Sequence, residues 1–431
     1  MSTHEHVTCT FCGCLCDDIS VEVEDGHIAA VKRVCANGRG VFAEHCSDAR
    51  RPTVEGREVD LEEAIAEAAR ILDQADSPLI YGLSSSATEG QRKAVELADV
   101  LGAVVDTTSS VCHGPTGLAL QEIGEPSCTL GEVRNRADLI LFWGCNPSAS
   151  HVRHFGRYSV TAKGTLTPRG RQDRTVYVVD VRPTGTSKTA DHFLQLRVGS
   201  DYEVLSTLRL LVRGESVPAE EVGGVSVAEL SELAERMKSC RFGVAFMGMG
   251  LTMSAGRNVN VAELFSLVAE LNDHTRFSVI PMRGHGNVAG SDQVLTWLSG
   301  YPFAVSYARG YPQFGPGEFT AVDMLARGEA DAALILASDP VAHFPRAAAE
   351  RLAAIPTIVL DPCENLTAGV ARVVFPTATY GVDAVGTAYR MDNVAIRLRA
   401  VVPTERPTDE QVLEGIIQAL PERAAQLEAV T

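Results

Sequence analysis

The chain has 431 residues, 45% of them hydrophobic, which is too much for one simple core and enough for two to four subdomains. Fifty-five acidic residues against 38 basic ones give a formal charge of -17, which argues against nucleic acid as a main partner, because phosphate binding needs a basic face. The polar start MSTHEHVTC has no apolar signal region and no stretch approaches ~18 uninterrupted apolar residues, so we expect no membrane span and a cytoplasmic protein whose 11 cysteines serve metal ligation rather than disulfides.

In chain order, residues 1–55 read as a small cysteine-bearing segment. In CTFCGCLCDD, Cys9, Cys12 and Cys16 fall in one short loop, and Cys35 follows after eighteen further residues. Three thiolates on a tight loop and one at a distance can hold the corners of an iron–sulfur cubane. Structural zinc is the rival, although it usually draws on two close ligand pairs. Cys14 is expected to point away from its neighbours by parity. Cys46 is a substitute candidate for Cys35, and Asp17 and Asp18 are expected to cap the loop. ISVEVEDGHIAAVKRV predicts a hairpin turning at Asp25-Gly26.

VDLEEAIAEAARILDQA has helical spacing. After it, short apolar runs alternate with helical stretches, the habit of parallel βαβ units. LIYGL, AVVDT, LILFWG, TVYVVDV, GVAFMGMG, FSVIPM, AALILAS and TIVLD are predicted strands, apolar enough to be buried on both faces. The chain also repeats itself. LILFWGCNPSASH followed by TVYVVDVRPTGTSKTADHFLQL matches AALILASDPVAHF followed by TIVLDPCENLTAGVARVVFP, and LIYGLSSSATEG resembles VAFMGMGLTMSAG. The fold class expected is α/β, with two related Rossmann-like parallel-sheet halves at 56–200 and 201–380 and a C-terminal segment at 381–431. Chance likeness of βα loops is the plainer account of the repeats.

Two loops carry reactive groups. AVVDTTSSVCHGPTG puts Cys112 between a strand and a helix that starts at Gly114-Pro115. There the helix N-terminus favours thiolate, and His113 offers an imidazole for proton transfer. A small buried thiol and a hydrogen-bonded loop histidine would be the plainer reading. PMRGHGNVAG carries Arg283 and His285 after a strand. If the halves are duplicates, this loop faces the Cys112 loop, and Arg283 could clamp a carboxylate or phosphate. The loops WGCNP, FMGMG and ASDP, with strand-end Asp180 and Asp361, suit two nucleotide-like moieties.

Taken together, CTFCGCLCDD, TSSVCHGP, WGCNP, IPMRGHGNV, SDPVAHFP and DAVGTAYRM resemble the B subunit of formylmethanofuran dehydrogenase, of the molybdopterin oxidoreductase superfamily. The resemblance runs in order from about residue 7 to 402. It implies a formate-dehydrogenase-like polypeptide with two molybdopterin guanine dinucleotides, one tungsten or molybdenum ion and a 4Fe–4S cluster. Cys112 would be the protein ligand to the heavy metal, and Cys9, Cys12, Cys16 and Cys35 would hold the cluster. His113 and Arg283 would handle protons and orient CO2 or formate. Asn146, Asp180, Gly248, Asp339 and Thr387 would contact the pterins. Partner subunits, amidohydrolase-like A together with C- and D-like chains, would join formate to methanofuran. The alternative is a non-redox scaffold, as in the related B component of bacterial formyltransferase/hydrolase complexes.

Overall fold

Apolar runs too short for helices become the strands of two parallel sheets. The structure, a computed structural model, describes residues 1–43, 45 and 50–420. Cys46 lies outside the described residues. Ten strands build the parallel sheets: β1 (Pro78–Gly82), β2 (Val104–Thr107), β3 (Leu139–Trp143), β4 (Thr175–Asp180), β5 (His192–Gln195), β6 (Gly243–Met247), β7 (Phe277–Pro281), β8 (Ala332–Leu336), β9 (Thr357–Asp361) and β10 (Val373–Pro376). All five residues of β3, β6 and β8 are buried, as strands covered on both faces must be.

The chain divides into two units. The first holds Met1–Ser110, His285–Arg390 and the described part of Ala395–Thr431; the second holds Val111–Gly284 and Met391–Val394. The second unit has one all-parallel sheet in the order β5-β4-β3-β6-β7. The first unit contains the parallel core β10-β9-β8-β1-β2, extended by antiparallel edge strands at Thr53–Val54, Arg57–Glu58, Val305–Ser306 and Gln313–Phe314. One strand order thus occurs twice, with the quoted sequence repeats on equivalent strands.

The boundaries differ from the contiguous halves 56–200 and 201–380. Each expected half contains strands of both sheets, because β1 pairs with β8, and β2 with β1, rather than with the neighbouring β3. Strand choice in a sheet is a long-range packing decision that local periodicity does not encode.

Four helices trace the chain's path between the units. They are α1 (Thr88–Leu101), α2 (Gly114–Ile123), α3 (Arg257–Leu271) and α4 (Val288–Ser299). The helix after β2, α2, belongs to the second unit and packs on α3; the helix after β7, α4, belongs to the first and packs on α1. The chain therefore changes units just before Cys112 and just after Arg283.

In the first unit, Ser2–Val7, Ile19–Glu24 and His27–Lys32 form a three-stranded antiparallel sheet. Asp25 and Gly26 both take positive φ, at 50° and 80°, the turn that matches hairpin twist. Among the described residues no helix is long and apolar enough to cross a membrane.

Candidate active site

Open parallel sheets place ligands at the carboxyl ends of their strands. In the second unit Asp180 ends β4, Asn146 follows β3, Gly248 follows β6 and Arg283 follows β7. Main-chain bonds bind these ends into one rim: Gly144 N donates to Val179 O (2.9 Å), Gly248 N to Trp143 O (3.0 Å) and Met282 N to Met247 O (2.8 Å). A Cβ on Gly248 would stand 2.5 Å from the Cβ of Cys145, so only glycine permits this approach. Asn146 Oδ1 accepts from Thr186 Oγ1 at 2.7 Å, Thr186 N at 3.2 Å and Ser148 Oγ at 2.8 Å. Burial raises the pKa of Asp180.

Cys112, His113 and Arg283 come together in this unit. Cys112 is half-buried, and its carbonyl accepts from Thr252 Oγ1 at 2.9 Å, which ties it to the loop beyond β6. His113 caps α2, with Pro115 in the first turn, as the sequence predicts. The His113 ring is buried. Its Nε2 lies 3.3 Å from Met282 O and its Nδ1 3.1 Å from Thr116 Oγ1. A carbonyl only accepts, so Nε2 carries the proton and Nδ1 accepts from the Thr116 hydroxyl. Burial, followed by the charge of Arg283, depresses the His113 pKa to about 3, which leaves the ring neutral. Arg283 is itself buried.

A second histidine completes the group. His151 Nε2 lies 2.8 Å from Arg283 O, and its Nδ1 lies 2.8 Å from Ser150 Oγ. The sequence signal for it was its place in the repeated segment LILFWGCNPSASH, where it does not stand out from an ordinary loop histidine.

The first unit repeats the rim. Asp339 follows β8 with φ -123° and ψ 70°, against -125° and 68° at Asn146. Its Oδ1 accepts from Thr367 Oγ1 at 2.7 Å and Thr367 N at 3.0 Å, the counterparts of the Thr186 bonds. Burial pushes Asp361, at the end of β9, up to about 7. Thr387 donates its Oγ1 hydroxyl (2.9 Å) and its backbone N–H (3.0 Å) to the Glu89 carboxylate. His285 also lies in the first unit, past the chain crossing.

The N-terminal thiols, also in the first unit, form a group of their own. Cys9, Cys12 and Cys16 are buried and Cys35 is half-buried. Cys9 N donates to Cys16 O (2.9 Å) and Leu15 N to Cys12 O (3.0 Å), which closes the loop. A Cβ on Gly38 would stand 2.6 Å from Cys9 Sγ and 3.6 Å from Cys35 Sγ, so both sulfurs reach the same glycine. Burial pushes the Cys9 thiol up to about 12, reinforced by the sulfurs of Cys16, Cys12 and Cys35. Four mutually repelling soft donors are a set that bound iron would relieve. Among the described residues no group of three or more His, Cys, Asp or Glu side chains is arranged to hold a single metal ion.

Cys14 is corrected. It does not point away: its thiol is hydrogen-bonded to Cys12 and Cys16 and is fully buried. Parity describes an extended strand, whereas Leu15 has φ 37° and the loop turns there.

No protein-family model matches the chain. It is 46% identical over 428 residues to the B subunit of the tungsten-containing formylmethanofuran dehydrogenase 2 of Methanocaldococcus jannaschii, covering 97% of this chain and 98% of that one. The polypeptide of the same name in Methanococcus maripaludis is 42% identical, over 98% and 100% of the two chains. The B component of the formyltransferase/hydrolase complex of Methylorubrum extorquens is 26% identical over 86% of this chain and 97% of that one. Among solved structures, that complex with methylofuran superposes with a TM-score of 0.71 at 25% identity, covering 87% of this chain and 99% of the matched one. Acetylene hydratase from Pelobacter acetylenicus gives 0.71 at 14% identity, covering 97% and 69%, which speaks to fold alone.

Proposed function

The chain belongs to the family of formylmethanofuran dehydrogenase B subunits, an oxidoreductase component of a multi-subunit complex, and we propose that it interconverts CO2 and formate. The observation that carries this reading is the convergence of Cys112, His113 and Arg283 on one rim of the second unit, with His113 Nε2 3.3 Å from Met282 O. The tungsten named in the relatives would come to this chain with two pterin guanine dinucleotides. When bound, such a centre with a 4Fe–4S cluster supplies the two-electron exchange HCOO⁻ ⇌ CO2 + H⁺ + 2e⁻.

Cys112 would give the thiolate ligand to tungsten or molybdenum. Asn146, Asp180 and Gly248 would hold one dinucleotide in the second unit, and Asp339 and Thr387 the other in the first. Cys9, Cys12, Cys16 and Cys35 would hold the cluster, which the mutual influence of their sulfurs supports. The Arg283 guanidinium would pair with the formate carboxylate and offset the charge gained as CO2 becomes formate. His113 would stand there as a neutral ring, its Nε2–H on Met282 O and its Nδ1 accepting from Thr116 Oγ1; with its pKa depressed to about 3 it serves as a hydrogen-bonding group rather than as the base for the proton of formate oxidation. Formate would pass to an amidohydrolase-like partner for attachment to methanofuran.

The test is metal content. The complex purified without air is expected to hold about four iron atoms per copy of this chain, with acid-labile sulfide, and one tungsten or molybdenum. A folded, assembled chain with none of these would be the scaffold of the alternative reading, and the proposal would be lost. Gly38→Ala gives a local check. The added methyl collides with Cys9 Sγ, so iron per chain should fall by about half or more while heavy metal stays. Unchanged iron would remove Cys9 from the ligand set.

A further inference from the structure

The peptide that carries Arg283 has no secondary structure to hold it. The chain leaves β7 at Pro281 and is irregular at residues 282–284. Arg283 N donates back to Pro281 O at 3.0 Å, a three-residue turn. One residue further on, the chain passes into the other unit. Past Met282, whose N–H still bonds Met247 O at 2.8 Å, the segment lies outside ladder and helix.

Two buried imidazoles take their place. His113 Nε2 addresses Met282 O and His151 Nε2 addresses Arg283 O, consecutive carbonyls of the same strand end. The His151 bond, at 2.8 Å, is the shorter of the two. Its tautomer is fixed from both sides, since the carbonyl demands a donor and Ser150 Oγ can give its hydrogen to Nδ1. The ring is buried and its own backbone is held twice: His151 N donates to Pro147 O at 2.9 Å, and its carbonyl accepts from His154 N at 2.7 Å. His151 is therefore a rigid post on the β3 loop, the loop that also carries Asn146.

We propose that His151 is a positioning residue for Arg283. It holds the Arg283 peptide so that the guanidinium meets a small carboxylate in one orientation, and it thereby sets the affinity for formate without touching it. This rests on Arg283 being the cationic partner of formate. A misaimed guanidinium loses the paired geometry that makes arginine–carboxylate contacts strong.

The experiment uses the metal-loaded complex and compares His151→Leu, His151→Gln and Arg283→Lys. Formate oxidation with a viologen dye gives KM and kcat; formate-induced thermal stabilisation gives affinity independently of turnover. His151→Leu is expected to raise KM about tenfold or more and to weaken the formate-induced shift, with kcat changing less. His151→Gln keeps an N–H donor and should return KM to within about threefold of the parent. If the leucine variant does not assemble, Ser150→Ala decides: it removes the hydroxyl that seats the His151 ring through Nδ1 and should raise KM by about threefold. A KM raised by Arg283→Lys but unmoved by His151→Leu, or by Ser150→Ala in its place, overturns the inference. So does a loss confined to kcat. If Arg283→Lys also leaves KM and the formate shift unmoved, the underlying role of Arg283 fails instead.

Discussion

Cys112→Ala is expected to abolish viologen-linked formate oxidation, by about a thousandfold or more, which is about 4 kcal/mol of transition-state stabilisation. The structure says why the loss should be confined. Cys112 is half-buried at the stem of α2, its carbonyl held by Thr252 at 2.9 Å, and truncating its side chain touches neither that bond nor the His113 contacts. The four cluster thiols are in the other unit, so iron and sulfide should match the parent. Heavy metal should fall or become labile, since the chain would lose its one proposed protein ligand to it. Metal analysis beside the assay separates these effects. Parental turnover in the alanine variant would refute the assignment and turn the reading toward a scaffold.

How much of this was legible in the sequence depends on the range of the interaction. The strands β3, β6, β8 and β9 announce themselves because nearly every residue in them is apolar and buried. The strands β5, at a sheet edge, and β10 are only four residues long, so they read as loop. Ser2–Val7 is polar and mostly exposed; it is a strand because Ile19–Glu24 offers it an edge, with an irregular register between His4 and Val7.

The site divides the same way. Cys112, His113 and Arg283 stood out because Gly-Pro marks a helix start and Arg-Gly-His-Gly follows a strand. His151 did not, because what distinguishes it is a carbonyl 132 residues away in the chain. Cys14 was misjudged through a local rule applied beyond its domain, since parity ends where Leu15 turns. The discontinuous units, with α2 and α4 exchanged, were out of reach for the same reason as the strand order. The repeats say that two similar sheets exist, not which strands each one recruits.

Acidification from pH 7 to 5 is expected to weaken the second unit while favouring the first. In the second unit, burial, aided by Arg283 at His113 and by the neighbouring His151, depresses His113 and His154 to about 3, and burial lowers His151. An unfolded histidine titrates near 6.5. Below that value the unfolded chain binds protons that the folded one refuses, so stability present at pH 7 is lost as pH falls from about 6.5 toward 3. Each of the two most shifted rings should remove about 2 kcal/mol between pH 7 and 5. Asp201 and Glu125, raised by burial, act with the opposite sign, but only between the ordinary carboxyl range and their raised values.

In the first unit burial holds Asp106 and Asp361 near 7 and Asp409 near 6. Their raised values make the folded form the better proton binder at these three sites, so they add stability there as pH falls from about 7 toward 4, opposed by His285, which burial lowers. The sequence supplies the reporter. It has two tryptophans: Trp143, fully buried in the second unit with Nε1 donating to Asp201 at 2.8 Å, and Trp297, exposed in the first. In the isolated chain carrying Trp297→Phe, the denaturant midpoint followed by Trp143 fluorescence should drop between pH 7 and 5. His154 stands edge-on to Phe246 at 4.6 Å, and its Nε2 has no hydrogen-bond partner among the described residues. His154→Phe therefore keeps the packing while removing about 2 kcal/mol of that dependence. A midpoint that does not move between the two pH values would mean that the buried histidines of the second unit take up protons in the folded state, and the neutral clamp on the Arg283 loop would lose its electrostatic basis.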